Sequence, residues 1–447
     1  MQKVLNFVGG EWKSTENGQV FAKLNPHDGS DVASCADSEA FDVVKTLQSS
    51  KAAFATWSQI SSEERANFLK KMAVVIAQNK DSWAQLEAIE QGLPIEFVKE
   101  HSFEEAIRVL NYWSNSTSES QESPLGVVAV VTSWCLGLRL LVERVAPALT
   151  AGNCVIAKPS EHAPSSGWVL GEAARLAELP HGVLNILQGD GEKVGSVLTA
   201  HPSIRAVAFA GKLAVGEKIL NSTGSQFKRV HMSMGANNAA LVLADADLSK
   251  CIPKIIESCL TGMGQMCWNT SRILVQESIY PEFVEKFKAH LISCQPLPLI
   301  SRNQMEIFNQ RKTLALSENA KLFSLDIKNE KGFWAEPTFS LDLPMCSVLQ
   351  QDEISGPFFS ISSVKYPHEM VKWTNTGYYG HSAQVWTQDP EKAYKWGSKL
   401  ECGTVWVNDW MKGVNEGHVM KQSGFGRVVN SALRQFFSYQ RQIIAKF

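Results

Sequence analysis

Among nine cysteines, Cys267 has the setting that best suits a nucleophile: it ends the run Gly264-Gln265-Met266-Cys267, beyond an apolar helical segment and just before the β-branched run RILVQ. A thiolate at such a junction would attack an electrophilic carbon, activated by the backbone dipoles around it. A lone cysteine is more often an inert buried side chain, so the context must carry the assignment. Other junctions supply that context. In VIAKPSE, Lys158 follows a buried run, Pro159 turns the chain out of it, and Glu161 opens the next helix. An ammonium and a carboxylate so placed suit a ribose diol, although a solvated strand-end lysine has the same spelling. In FAGKLAVGEKI, Gly211 and Gly216 flank a helix start. There backbone N–H groups can approach a pyrophosphate, or glycine simply lets helix and sheet pack. GDGEKVG, residues 189–195, has one residue too many for a dinucleotide fingerprint and reads as a turn. Cys251 and Cys259 precede Cys267 at equal spacing, but no histidine joins them at ligand distance, so no metal site is expected.

These groups need rigid elements behind them. GVVAVVT, CVIAK, GVLNIL and AVAFAG are short runs too apolar for half-exposed strands, with helical stretches between them. That alternation predicts βαβ units and a parallel sheet. A second alternating region starts near Ala239 and includes RILVQESIY, PFFSISSV, SAQVWT and GTVWVN. Residues 7–34 read as an entry hairpin, and the segment from Ala36 to about Tyr112 as amphipathic helices punctuated by Gly92 and Pro94. SNSTSESQESP, residues 114–124, reads as a linker, and FSYQRQIIAKF as a terminal strand.

At 447 residues the chain exceeds what one core serves, and 44% hydrophobic with 20% charged residues and a net charge of -2 describe an ordinary globular protein without a nucleic-acid footprint. The amino terminus lacks the apolar stretch of a signal peptide, and no segment is apolar for long enough to span a membrane. An odd number of scattered cysteines fits a reducing compartment, so a cytoplasmic protein is expected.

Taken in order, APALTAGNCVIAKPSE, FAGKLAVG, LVLADADLSKCIP, GQMCWNTSRILVQESIY, DEISGPF, YYGHSAQVWT, GTVWVN and SGFGR resemble the aldehyde dehydrogenase superfamily, in wording closest to its muconic-semialdehyde and betaine-aldehyde members. The resemblance implies an aldehyde-dehydrogenase-like α/β fold with a Rossmann-type cofactor domain, an α/β catalytic domain and a reduced oligomerisation arm. The cofactor domain would take residues 1–112 and 125–232, the catalytic domain 233–425, and the linker and terminal strand 113–124 and 426–447. It implies Cys267 as nucleophile, NAD or NADP as cofactor, Lys158 and Glu161 at the adenosine ribose, Glu353 at the nicotinamide ribose, an aldehyde or related carbonyl as substrate, and a homodimer.

The chain also departs from the family's pattern. The asparagine of P-W-N is Cys135 in Ser133-Trp134-Cys135, and a thiol is a poor donor to an oxyanion. The glutamate of E-L-G-G is Ser233, which cannot take a proton near neutral pH. Ser355 replaces a phenylalanine after Glu353, and Lys212 replaces a serine after Gly211; Lys212 could pair with the pyrophosphate as a point charge or fill the site, which would leave cofactor binding weak or lost. Glu143 replaces an aromatic tunnel residue, with Arg139 one turn earlier and Arg144 in place of a lysine. The spacing of Arg139 and Glu143 allows a mutual salt bridge, a polar substrate pocket or a relocated base. Three functions remain open: an impaired or altered dehydrogenase, a non-redox acyl-transfer enzyme or hydrolase using the same thiol, and a pseudoenzyme that binds a partner protein.

Overall fold

β-Branched apolar runs form a buried parallel sheet in each half of the protein. The computed structural model describes residues 2–116, 122–327, 329, 331–341, 343–412, 418–426, 431–440 and 444. The chain divides into one unit of Met1–Asn25, Ser30–Met232 and Gly426–Phe447 and a second of Pro26–Gly29 and Ser233–Phe425.

In the first unit the sheet runs Arg229–Ser233, Ile204–Ala210, Val127–Thr132, Cys154–Lys158, Leu184–Ile186, Asn6–Val8, Glu11–Lys13. The four strands from Ile204–Ala210 to Leu184–Ile186 pair in parallel. All of Val127–Thr132 and Cys154–Lys158 is buried, as sheets covered on both faces require. The register sets Val131 beside Lys158 and Thr132 beside Ala210, so Ser133, Lys158 and Gly211 leave the sheet along the edge where α/β folds place ligands. Helices Gly137–Thr150, Pro164–Leu176 and Leu213–Gly224 follow these strand ends. The long helix Ser62–Gln91 starts from a Ser61/Glu64 capping box and stops at Gly92, whose φ of 68° suits glycine.

In the second unit the order is Lys321–Ser324, Thr338–Leu341, Phe358–Val364, Thr270–Gln276, Asn238–Val242, Ser382–Trp386, Thr404–Val407. Every pairing is parallel except that of the first edge strand. Phe283, Phe287, Phe339 and Phe359 pack with Cys251 and Cys259 on one face of this sheet. Burial pushes both thiols well above their ordinary range, which makes them part of the core.

Several local expectations need correction. Instead of one entry hairpin there are two antiparallel pairs, Asn6–Val8 with Glu11–Lys13 and Val20–Leu24 with Asp31–Ala36. The Pro26–Gly29 turn of the second pair belongs to the other unit, where Phe333 N donates to Pro26 O (2.9 Å) and Trp334 Nε1 to His27 O (3.0 Å). GDGEKVG is not a plain turn: Asp190 caps a short π-helix, Gly191–Gly195. Of the expected linker, Ser114 closes a helix and Glu122–Pro124 is a strand paired with Ser438–Gln440. Its centre, 117–121, lies outside the described residues, as do 441–443 and 445–447 of the expected terminal strand. Among the described residues no helix is long and apolar enough to cross a membrane.

Asn153 ties this strand pair to the first unit. Its Oδ1 accepts from the N–H groups of Leu125 and Gly126 (2.8 and 3.1 Å), and its Nδ2 donates to the carbonyls of Ala148 and Phe437 (3.1 and 2.9 Å). Asn153→Leu strands these buried groups and is expected to lower unfolding stability by on the order of 2–3 kcal/mol, read from urea denaturation followed by circular dichroism.

Candidate active site

The Cys267 loop grows from the end of helix Leu248–Leu260 and returns into strand Thr270–Gln276. Between them the backbone makes three successive residues at positive φ, Gly262 (56°), Met263 (55°) and Gly264 (67°), a conformation that is strained for methionine. Side-chain amides hold it there. Asn269 Oδ1 accepts from Met266 N (2.6 Å), while its Nδ2 donates to Ser258 O and Thr261 O (2.8 and 3.0 Å). Asn238 Nδ2 donates to the carbonyls of Cys267 and Asn269, both at 2.8 Å. Gln265 spans from Gly262 O to Ile300 N, and Trp410 Nε1 donates to Trp268 O (3.1 Å). Cys267 itself is partly exposed, unlike Cys251 and Cys259.

A second loop, which carries Glu353 and Ser355, packs on the first. Gly356 N donates to Gly264 O (3.1 Å), and a Cβ on Gly264 would stand 2.3 Å from Gly356 O, so glycine is required at this contact. Asp352 anchors the second loop by an ion pair with Arg311 (3.0 Å), a hydrogen bond from Tyr379 (3.2 Å), and its own carbonyl, which accepts from Asn237 Nδ2 (2.8 Å). Gln304 Nε2 donates to Ser355 O. Burial and the charges of Glu353 and Asp352 push the Tyr379 phenol up, which keeps it a neutral donor. The Glu353 carboxyl lies against Gly235, where a Cβ would meet Oε2 at 2.1 Å. Ser233, two residues earlier, ends strand Arg229–Ser233 and is partly buried.

The remaining candidates stand in the first unit. Cys135 is 8% exposed in the turn after Val127–Thr132, next to Leu136 at φ 50°. One helical turn into Gly137–Thr150, Arg139 Nε donates to Glu143 Oε1 at 2.7 Å, and Arg144 stands 3.6 Å from Oε2. All three are buried. The salt bridge considered from the spacing is therefore formed, and the carboxylate is engaged by two guanidiniums.

Lys158 is buried, and its Nζ donates to Glu161 Oε2 at 3.1 Å, while the Glu161 side chain keeps 36% of its surface. Burial alone would raise the Glu161 carboxyl, but Lys158 and His162 outweigh it and hold it below its ordinary value. Burial also lowers His162, helped by Lys23, Lys158 and Lys212. A charged carboxylate and an ammonium side by side can accept from and donate to a vicinal diol, so this pair fits a nucleotide ribose. Gly211 ends its strand against the Phe209 ring, Lys212 caps helix Leu213–Gly224, and Gly216 is buried in that helix. Among the described residues no group of His, Cys, Asp and Glu side chains could hold a metal ion.

Sequence reasoning missed Asn238, Asn269 and Trp410. Only Asn269 offered a signal, standing two residues after Cys267 at the head of an apolar run, where a buried amide must find backbone partners.

A two-unit α/β protein with a parallel sheet in each half and a strand-end Lys–Glu pair belongs to the broad class of nucleotide-binding dehydrogenase folds. The model of the aldehyde dehydrogenase family matches residues 12–443, so the chain belongs to the aldehyde dehydrogenase family. It is 29% identical over 467 residues to human 2-aminomuconic semialdehyde dehydrogenase, covering 96% of this chain and 93% of that enzyme. It is 30% identical over 459 residues to the betaine aldehyde dehydrogenase of Vibrio vulnificus (strain YJ016), covering 96% and 94%. A mutant of P. syringae AldA indole-3-acetaldehyde dehydrogenase, solved with NAD+ and IAA, superposes with a TM-score of 0.92 at 26% identity, covering 99% of this chain and 96% of that one.

Asn269→Ala removes three hydrogen bonds from the strained turn beside Cys267. It is expected to cost on the order of 1–3 kcal/mol and to change the alkylation rate of Cys267 in the folded protein several-fold, followed by peptide mass spectrometry.

Proposed function

We propose that this protein oxidises an aldehyde to a carboxylic acid with NAD, through a thiohemiacetal on Cys267, and that its residues at 135 and 233 make turnover slow. The observation that carries this reading is the partly exposed Cys267 on a loop whose carbonyl and neighbouring backbone groups are pinned and braced against the Glu353 loop.

Lys158 and Glu161 would hold the adenosine ribose, Glu353 the nicotinamide ribose, and the start of helix Leu213–Gly224 with Lys212 the pyrophosphate. A carboxylate at the ribose accepts a 2′-hydroxyl and repels a 2′-phosphate, which favours NAD over NADP. The P. syringae relative was solved with NAD+. In the reaction the Cys267 sulfur bonds to the carbonyl carbon and the π electrons pass to oxygen. When bound, NAD accepts the hydride released as the thiohemiacetal becomes a thioester. Water then cleaves the thioester, returning the thiol and releasing the acid.

Two steps lack their usual help. Cys135 donates poorly to the oxyanion, a loss of about 2.7–4 kcal/mol of transition-state stabilisation. Ser233 takes no proton from the hydrolytic water, and Glu143 is engaged by Arg139 and Arg144. A homodimer with a reduced arm belongs to the same reading and is testable by light scattering.

Fluorescence titration with NAD is expected to saturate, and aldehyde-dependent NADH formation to be slow and abolished in Cys267→Ala. Ser233→Glu is expected to raise kcat by ~10²–10⁴-fold and Cys135→Asn by ~10²–10³-fold. Absence of NAD binding, with Cys267 acylated by a thioester without cofactor, would replace this reading with a non-redox acyl-transfer function. Absence of both would leave a pseudoenzyme that binds a partner protein.

A further inference from the structure

We infer that Glu87 is a positioning residue, which through Gln91 and the start of helix Gly137–Thr150 fixes the turn that carries Cys135. This deepens the proposed function, because it rests on reading position 135 as the oxyanion-facing one.

Glu87 lies on helix Ser62–Gln91 with no exposed surface. A carboxyl in that position is costly unless donors surround it. Its Oε1 accepts from Ser102 Oγ at 2.8 Å and from Gln91 Nε2 at 3.0 Å. Ser102 comes from a single π-helical stretch, Lys99–Glu104, a wide turn that often accompanies a local functional demand. The other oxygen, Oε2, closes no hydrogen bond of normal geometry, although the N–H groups of Gly137 and Leu138 still act on the carboxyl. Those two N–H groups open a helix and have no partner within it, so they form its positive end.

Gln91 makes the link specific. Its Nε2 donates to Glu87 while its Oε1 accepts from Leu136 N at 3.2 Å. A glutamine amide can face either way, but Oε1 of Glu87 accepts whether the group is charged or carries its proton on Oε2. Glu87 therefore turns the NH₂ of Gln91 toward itself and leaves the oxygen for Leu136. Leu136 needs that bond. It sits at φ 50°, ψ 53°, a left-handed conformation costing on the order of 1–2 kcal/mol outside glycine, and its side chain caps nothing. Cys135 is the preceding residue and takes its direction from that peptide.

The charged surroundings of Glu87 are few. Glu90 stands one turn on along the same helix and faces Ser165 and Lys23, and Lys23 in turn faces Cys35. Burial pushes Glu87 up to about 7, against the pull of its hydrogen bonds. Its folded value lies above the ordinary 4.5, so its contribution to stability is complete below that value and is lost as pH rises through about 7.

The test is alkylation of the native full-length protein with iodoacetamide, with Cys135 and Cys154 quantified by peptide mass spectrometry. Cys154 is buried in the same unit, far along the strand, and reports general loosening. Glu87→Ala and Gln91→Leu are each expected to raise the Cys135-to-Cys154 rate ratio about tenfold by local opening of the turn. Glu87→Gln, which keeps the side chain's shape but must turn an NH₂ either to Gln91 Nε2 or to the Gly137 and Leu138 N–H groups, is expected to raise it as well and serves if Glu87→Ala does not fold. An unchanged ratio in the folded variants, or equal acceleration of both cysteines, overturns the proposal. The ratio needs no turnover, so a wild-type protein that forms no NADH would count against the dehydrogenase reading and leave this result standing.

Discussion

Irregular backbone buried near a site must find hydrogen-bond partners that no sheet or helix supplies, and in this protein buried side-chain amides provide them. Asn269 and Asn238 hold the Cys267 loop, Asn237 the Glu353 loop, Asn153 the segment before Val127–Thr132, and Gln91 the Leu136 peptide. Asn153, Asn238, Asn269 and Gln91 use both ends of the amide, and all but Asn269 join segments distant in sequence. Loops held in this way can keep left-handed residues such as Met263 and Leu136, whose strain a free loop would release.

The parallel sheets supply the other half of the arrangement. Register alone sets Ser133, Lys158 and Gly211 at one edge of the first sheet, so the Lys158–Glu161 pair and the Cys135 turn owe their nearness to strand pairing. The second sheet brings the Cys267 and Glu353 loops into contact, because Thr270–Gln276 and Phe358–Val364 are neighbours. The Cys267 thiol and the Glu353 carboxylate are thereby carried on neighbouring loops.

Much of this was legible in the sequence. The apolar runs mark the central strands of both sheets, since burial on both faces leaves few other compositions. The motif around Cys267 and the K-P-S-E turn carry the family, and spacing alone allows for the Arg139–Glu143 salt bridge. The amide braces were harder to read, because an asparagine's partners are backbone groups that carry no sequence signature. The π-helices at Lys99–Glu104 and Gly191–Gly195 and the Pro26–Gly29 turn were illegible for a related reason: long-range packing decides them.

Cys135 and Ser233 stand within a framework that carries several costly features. Loss of selection on a site would be expected to relax its costly features first, since strain and buried ionisable groups lower stability when they serve nothing. Yet Met263 keeps its strained turn, Gly264 still meets Gly356 closely, and Glu87 remains buried beneath the Cys135 turn. Charged groups also stand within the helix that follows, where Arg139, Glu143 and Arg144 are buried together. A buried ion cluster costs desolvation that apolar residues of the same volume would avoid, so it is poorly explained by stability alone. These features are costs that packing alone does not explain.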